Sequence, residues 1–241
     1  MNIVLVLSGG VGHRLHSEVP KQYIRVGGRM IAGYTLEAVC AHPRVDAVWI
    51  TAEKDWWEPL RKEIEDAYVS KLKGISLPGE NRQLSIRNAL RDMRELASEE
   101  DVVVVHDAVR PCVSEALIAD TIDAVSGYDG AVPVLPMKDT VYSSEDGRQL
   151  SRILERSKIL AGQAPEAFLY GKYLAANEAL SAEDILKLSG SAEPALLAGM
   201  SIATLPGEEK NFKITTNEDL DRFVQIVEQG ALRSIVKGRI K

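Results

Sequence analysis

The chain reads as an α/β fold built on a mixed, mostly parallel sheet flanked by helices, with one arm projecting from it. Three observations predict this. Short apolar runs alternate with amphipathic stretches, the pattern of repeated βαβ units. Two of the runs, residues 3–7 and 101–105, are too short for helices and lead straight into loops carrying glycine, aspartate and arginine, as strands of an open parallel sheet do at their carboxyl ends. Residues 138–156 break the alternation with a polar stretch containing Glu145-Asp146-Gly147, which reads as a hairpin or arm.

The elements follow in order. Residues 3–7 form a buried strand, and Ser8-Gly9-Gly10-Val11-Gly12-His13-Arg14 turns out of it. A helix is expected over 31–41, a strand over 45–51, a charged helix over about 56–69 and a short strand at 75–77. Apolar positions Leu84, Ile86, Leu90 and Met93 recur at helical spacing, placing a helix over 82–97. The run 101–105 is a fully buried strand ending in His106-Asp107, followed by a helix over about 114–125 and a strand over 131–135. After the arm come a helix near 173–180, a strand at 201–205, a short strand at Lys213-Ile214, and a helix over about 218–228. Thr216 or Asn217 is the candidate N-cap of that last helix. Residues 1–230 read as a single domain with the arm inserted. Residues 231–241 read as a basic C-terminal tail, with Arg233, Lys237, Arg239 and Lys241 unbalanced by any acid, and a frayed, solvated end is the expectation.

Composition narrows the function. At 241 residues, 45% hydrophobic and 27% charged, the chain has the balance of a soluble domain with a substantial core. A formal net charge of −6 argues against nucleic acid or an anionic membrane as partner, since both demand excess Lys and Arg. An anionic small substrate must then be held by a few locally placed cations. The two cysteines, Cys40 and Cys112, form no CxxC and no Cys/His cluster, which argues against a disulfide framework or a zinc site. The opening run is too short for a signal peptide and no stretch approaches a membrane span, so a cytoplasmic location is expected.

The chemistry concentrates at three places. Glycines in the 8–14 loop let the backbone approach a phosphate and present its N–H groups as an anion nest, and Arg14 and Lys21 add cations. The GxxxxGK[ST] phosphate loop is absent. The dinucleotide fingerprint lacks its third glycine, where Leu15 stands. The alternative is that these glycines only make a tight strand-to-helix turn. His106-Asp107-Ala108-Val109-Arg110-Pro111 follows the second buried strand and should face the glycine loop. Asp107 can hold a divalent cation or substrate hydroxyls, and Arg110 a phosphate. Alternatively Asp107 caps a helix or pairs with Arg110, and His106 serves hydrogen bonding within the loop. Asn211-Phe212-Lys213-Ile214-Thr215 brings one more lysine.

These motifs, with Pro20-Lys21-Gln22 and Lys138-Asp139-Thr140, occur in an order and spacing that resemble the 2-C-methyl-D-erythritol 4-phosphate cytidylyltransferases and the related ribitol-5-phosphate cytidylyltransferases. The likeness spans about residues 2–227. It implies a Rossmann-like nucleotidyltransferase fold and transfer of CMP from CTP to a polyol phosphate, with Mg²⁺ or another divalent cation required. It also implies that Arg14, Lys21 and Lys213 act on the triphosphate together with Ser8, Gly9, Gly10 and Gly12. Gly79, Arg82 and Ser85 match the region that recognises cytosine and ribose. Asp107, Arg110 and Thr140 would meet the acceptor, with Asp107 also a candidate metal ligand through the CTP phosphates. Arg156 would reach the site of a neighbouring subunit, making the arm a homodimerisation element. Because a phosphate monoester is already nucleophilic near neutral pH, no general base is expected.

Two segments depart from the family pattern: Ala164-Pro165-Glu166 stands where Thr-Pro-Gln is usual, and Ser189-Gly190-Ser191 where Thr-Asp-Glu or Thr-Asp-Ala is usual. Gly9-Gly10, the 106–111 segment His-Asp-Ala-Val-Arg-Pro and Ala161-Gly162-Gln163 lean toward the ribitol branch. Pro136-Met137-Lys138-Asp139-Thr140 and the segment 40–45 lean toward methylerythritol phosphate, which is the first expectation for the acceptor. A sugar-1-phosphate nucleotidyltransferase and a non-catalytic nucleotide-binding relative are the other readings.

Overall fold

The computed structural model describes residues 1–10 and 19–237. Strand β1 (Asn2–Leu7) comes first, then a short hairpin of β2 (Arg25–Val26) and β3 (Arg29–Met30), turned by Gly27 and Gly28 at positive φ. Helix α1 (Ile31–Cys40), β4 (Ala47–Thr51), α2 (Trp57–Arg61), β5 (Leu72–Ser76) and α3 (Arg82–Asp92) follow. Next are β6 (Val102–Asp107), α4 (Glu115–Asp123) and β7 (Gly130–Pro136). The arm carries the hairpin β8 (Tyr142–Ser143) and β9 (Arg152–Ile153). Then come β10 (Leu160–Gly162), β11 (Glu166–Leu169), α5 (Tyr170–Glu178), α6 (Ala182–Lys187) and α7 (Glu193–Leu197). β12 (Ile202–Pro206), α8 (Asn217–Glu228) and α9 (Leu232–Val236) complete the described chain.

The sheet runs β5-β4-β1-β6-β11-β7, with β10 and β12 also paired to β7. β1 is parallel to both β4 and β6, β4 to β5, and β7 to β12, while β11 runs antiparallel between β6 and β7. The chain moves outward from β1 through β4 to β5, then crosses back to β6 on the other side of β1. That reversal is a topological switch point, and it opens a crevice at the carboxyl ends of β1 and β6.

The apolar run of β1 explains its central position. Val4 and Val6 pack on one face with Leu36 and Val39 of α1 and with Leu117 and Ile118 of α4. Ile3 and Leu5 pack on the other with Ile86 and Leu90 of α3, with Met93 just after it, and with Tyr173 of α5. A strand covered on both faces must be apolar at every position, not at alternate ones. A third cluster joins Val109 and Cys112 to Ile214, Phe223 and Ile235, and so pins the late 211–215 segment against the loop after β6.

Four expectations are corrected. The charged stretch 56–69 holds only the short helix α2, after which the chain turns repeatedly before β5. Lys213-Ile214 is extended but not a strand, because it is fastened by one bond from the Ile214 N–H to the Val109 carbonyl (2.9 Å) rather than by a ladder. The helix near 173–180 starts earlier, at Tyr170. The tail is not solvated throughout: α9 docks by burying Ile235, while Arg239 and Lys241 lie outside the described residues. Thr216 is the N-cap of α8, in a reciprocal capping box with Asp219.

Candidate active site

The register of β1 and β6 pairs Leu7 with Asp107, so the glycine loop and the His106-Asp107 loop leave the sheet side by side. A cleft of about 550 Å³ opens there. Gly9, Gly10, Lys21 and Gln22 form one wall, Pro78 to Arg82 with Ser85 another, and Asp107, Val109 and Lys213 the floor.

The glycine wall is braced from behind. The Ser8 N–H donates to the Thr51 carbonyl (2.9 Å), and the Tyr23 hydroxyl donates to the Ser8 carbonyl (2.8 Å). Gln22, from the short turn Lys21–Tyr23, spans the loop by donating from Nε2 to the carbonyls of Ser8 (2.7 Å) and Gly10 (2.6 Å). A β-carbon on Gly9 would sit 2.3 Å from the Pro78 Cβ across the cleft, whereas one on Gly10 would meet nothing within 4 Å. Gly9 is thus required by the close approach of the two walls, and Gly10 exposes bare backbone to the cleft. Gly9→Ala is expected to lower stability by about 1–3 kcal/mol through overpacking, read as a fall in Tm, and to weaken CTP binding in calorimetric titration. An unchanged Tm would show that Pro78 yields freely.

The opposite wall is the N-terminus of α3. Asn81 caps it by accepting from the Leu84 N–H (2.8 Å), and Ser85 Oγ accepts from the Gly79 N–H (3.0 Å). A β-carbon on Gly79 would lie 2.4 Å from the Leu84 Cβ and 2.8 Å from the backbone, so only glycine closes this turn. Helix N-termini favour anions.

The floor is an ion cluster. Asp107 is buried and pairs with Arg82 (3.2 Å), Arg110 (3.2 Å) and Lys213 (3.1 Å). Burial alone would raise its pKa, but the three cations outweigh that and hold the carboxyl well below the usual carboxylate range. Three cations around one carboxylate leave a local excess of positive charge. Lys21 adds to it from the side, its Nζ donating to the Ile214 carbonyl (2.8 Å). His106 is buried, its Nε2 against the Arg110 carbonyl (3.3 Å), and burial pushes its pKa down to about 4. It is neutral, is not part of the cleft lining, and ties the loop through Arg110.

Most of the expected residues meet here. Gly9, Gly10, Lys21, Gly79, Arg82, Ser85, Asp107 and Lys213 line the cleft, and Arg110 grips Asp107 from beneath while donating to the Asn211 carbonyl (2.6 Å). The alternative reading of Asp107 as an ion-pair partner of Arg110 is realised as well, within a larger cluster. Ser8 is corrected: its hydroxyl is bonded to Tyr23 in the core (3.2 Å) and it braces the loop instead of lining the cleft. Thr140 and Arg156 do not line it either. Both are exposed on the arm, where Arg156 donates to the Lys138 carbonyl (2.7 Å). Gly12 and Arg14 lie outside the described residues.

Among the described residues, no group of three or more His, Cys, Asp or Glu could hold a metal ion. Asp107 is already engaged by three cations, and the neighbouring Glu166 carboxylate by Arg82 and Ser191, so a divalent cation fits here only as one carried by substrate phosphates. Four residues with no role expected from sequence also shape the site: Gln22, Asn81, Glu166 and Ser191. The Asn before the apolar period of α3 was a legible cap signal, but the contacts of the other three arise from pairings distant in sequence.

Comparison with known proteins agrees with this geometry. The family model described as 2-C-methyl-D-erythritol 4-phosphate cytidylyltransferase matches residues 2–229. The chain is 34% identical over 219 residues to a protein of that name from Geobacter metallireducens, covering 90% of this chain and 93% of the relative. It is 29% identical over 225 residues to a ribitol-5-phosphate cytidylyltransferase from Lacticaseibacillus paracasei, covering 92% and 96%. Among solved structures, a 4-diphosphocytidyl-2C-methyl-D-erythritol synthase superposes with a TM-score of 0.78 at 23% identity, covering 94% of this chain and 98% of that one. With a glycine loop, a helix N-terminus and a cation cluster meeting at the switch point, and with sequence likeness along nearly its whole length, the chain belongs to the 2-C-methyl-D-erythritol 4-phosphate cytidylyltransferase family of nucleotidyltransferases.

Proposed function

We propose that this chain transfers CMP from CTP to 2-C-methyl-D-erythritol 4-phosphate, releasing pyrophosphate, with the Asp107 cluster as the place where the two anions meet. The observation that carries the reading is the cluster itself: three cations held ready on one buried carboxylate, facing bare glycine backbone. In this reading the triphosphate lies along Gly9, Gly10, Lys21 and Lys213, and the base against Gly79 and Ser85. The acceptor lies over Asp107 and Arg110. A divalent cation such as Mg²⁺, carried on the nucleotide's phosphates, would supply charge neutralisation there, with Asp107 a carboxylate of the cleft lining that could face it.

The chemistry balances without a base. An oxygen of the acceptor phosphate attacks the α-phosphorus, a new P–O bond forms, the bond to the β-phosphate oxygen breaks, and pyrophosphate departs. No proton moves. This agrees with His106 being buried and neutral and with both Asp107 oxygens being engaged in ion pairs. Catalysis then consists of bringing two polyanions together and stabilising charge on the α-phosphoryl oxygens and the leaving group, the work of Lys21 and Lys213.

Methylerythritol phosphate is placed first because the relative of that name is 34% identical and the family model carries it. Ribitol 5-phosphate is second, supported by relatives of that name at 29% identity over 92% of this chain. One assay separates them: CTP with an equimolar mixture of both acceptors, products resolved by mass spectrometry. The methylerythritol diphosphocytidyl product is expected in excess, and predominant CDP-ribitol would overturn the choice.

The arm completes the reading. It exposes Tyr142, Leu150 and Ile153, Leu150 at 69% and Ile153 at 65%. Apolar side chains so open on a projecting hairpin suit burial against a second copy of the chain. A homodimer through the arm would bring Thr140 and Arg156 toward the partner's cleft. Ile153→Asp is expected to halve the mass seen by sedimentation equilibrium and to lower turnover together with it. A wild-type protein already monomeric at assay concentration would contradict this.

A further inference from the structure

The two segments that depart from the family pattern meet in space. Glu166 opens β11 opposite Val105 of β6, placing its carboxyl beside the carboxyl end of β6, where Asp107 stands. The segment is anchored before it by Asn211, whose Nδ2 donates to the Ala164 carbonyl (2.7 Å). Ser191 arrives from the loop between α6 and α7, and its backbone is fixed by the Tyr173 hydroxyl donating to its carbonyl (2.8 Å). Ser191 is 1% exposed, and its hydroxyl donates to Glu166 Oε1 (2.8 Å) while accepting from Nη1 of Arg82. The other side of the same guanidinium faces Asp107 Oδ1, from Nε (3.3 Å) and Nη2 (3.2 Å). Nη2 also lies 3.8 Å from Glu166 Oε1.

We infer that Glu166 is a positioning residue: through the Ser191 hydroxyl it holds the planar fork of Arg82 in one orientation between two carboxylates, so that Arg82 faces the cleft pre-oriented for the reacting anions. Arg82 sits at the first turn of α3 and its side chain is only partly buried, so Asp107 alone leaves it free to pivot about that carboxylate. A second anchor on the opposite edge removes that freedom. The planar fork is itself pre-organised, so each further hydrogen bond costs it little entropy. The usual family pattern carries an acid at 190 and a neutral amide at 166. This chain carries glycine at 190 and an acid at 166, and the two changes act as one unit through a hydroxyl at 191. Burial raises the Glu166 pKa, while the Arg82 guanidinium and the Ser191 hydroxyl act against that rise.

The kinetic part of the test rests on the proposed cytidylyl transfer, whereas a second readout does not. Ser191→Ala removes the relay, Glu166→Gln keeps the shape and removes the charge, and the double variant closes the cycle. In protein labelled with ¹⁵N-arginine and without ligand, the Arg82 Nε–H resonance, assigned with Arg82→Lys, is expected to be resolved in the wild type. It should broaden or move to the bulk position in either single variant. In steady state, each single variant and the double are expected to lose about the same tenfold in kcat, while the KM for CTP stays within a few-fold and Tm holds. Single losses that multiply, or an Arg82 resonance unchanged in both variants, would overturn the inference. Wild-type silence with every acceptor would remove the proposed function instead, and the resonance would still decide the role of Glu166.

Discussion

Replacing Lys21 with alanine is expected to lower turnover by a factor on the order of 10²–10³ while leaving CTP binding within a few-fold. Lys21 follows Pro20 in a short turn whose next two residues are buried and brace the glycine loop, so its backbone is fixed while its ammonium reaches along the cleft. It stands at the Ile214 carbonyl, next to Lys213, which makes the two lysines a pair on one side of the Asp107 cluster. Ground-state binding of a triphosphate is shared among glycine N–H groups and several cations, and one lysine contributes little to that sum. Charge that appears only as the pyrophosphate departs is met by the few cations nearest to it. Stopped-flow or quenched-flow turnover, set beside calorimetric CTP affinity, separates the two effects. Equal losses in affinity and turnover would assign Lys21 to uniform binding.

Asp107→Asn is expected to act on stability and activity together. It removes the buried carboxylate that Arg82, Arg110 and Lys213 share, leaving these cations to repel each other with only Glu166 still beside Arg82. Loss of one partner from such a buried cluster costs on the order of 3–5 kcal/mol. The sign of the pH dependence is fixed by the direction of its pKa. The three cations hold the folded value below the unfolded one of about 3.9, so the contribution is fully present above that pH and fades as pH falls further. Denaturant unfolding at pH 8, 6 and 4 should therefore give a constant difference between wild type and variant at the two higher values, narrowing only below about pH 4. A difference that shrinks between pH 8 and 6 would contradict the assignment. Turnover is expected to fall on the order of 10²-fold, because Arg82 and Lys213 lose their common anchor.

Much of this site was legible in the sequence, for a physical reason. A central parallel strand is apolar at every position, so β1 and β6 stand out as unbroken runs, and the loops at their carboxyl ends must converge at a switch point. Gly9, Asp107 and Arg110 follow from that alone. The antiparallel strand β11 was not legible: its four residues Glu-Ala-Phe-Leu follow Ala-Pro and resemble any loop, and only pairing with β6 and β7 makes them a strand. For the same reason Glu166 carried no signal beyond its departure from the family pattern. The stretch 56–69 misled because its apolar residues reach the core at its two ends, through Trp56, Trp57, Leu60 and Ile64 and then Tyr68 and Val69, with a turn rather than a continuous helix between them. Lys213 looked like a strand residue because Phe212 and Ile214 flank it. In the fold Ile214 anchors the segment in the third apolar cluster, and that anchor carries Lys213 to Asp107.

The most direct test of cytidylyl transfer in this cleft is pyrophosphate release from CTP and Mg²⁺ with and without methylerythritol 4-phosphate or ribitol 5-phosphate, in wild type and Lys21→Ala. Release that requires both CTP and one of the acceptors, and that collapses in Lys21→Ala although the variant still binds CTP, is the predicted result. No release with either acceptor from a wild-type protein that binds CTP, or release at full rate from Lys21→Ala, would contradict it.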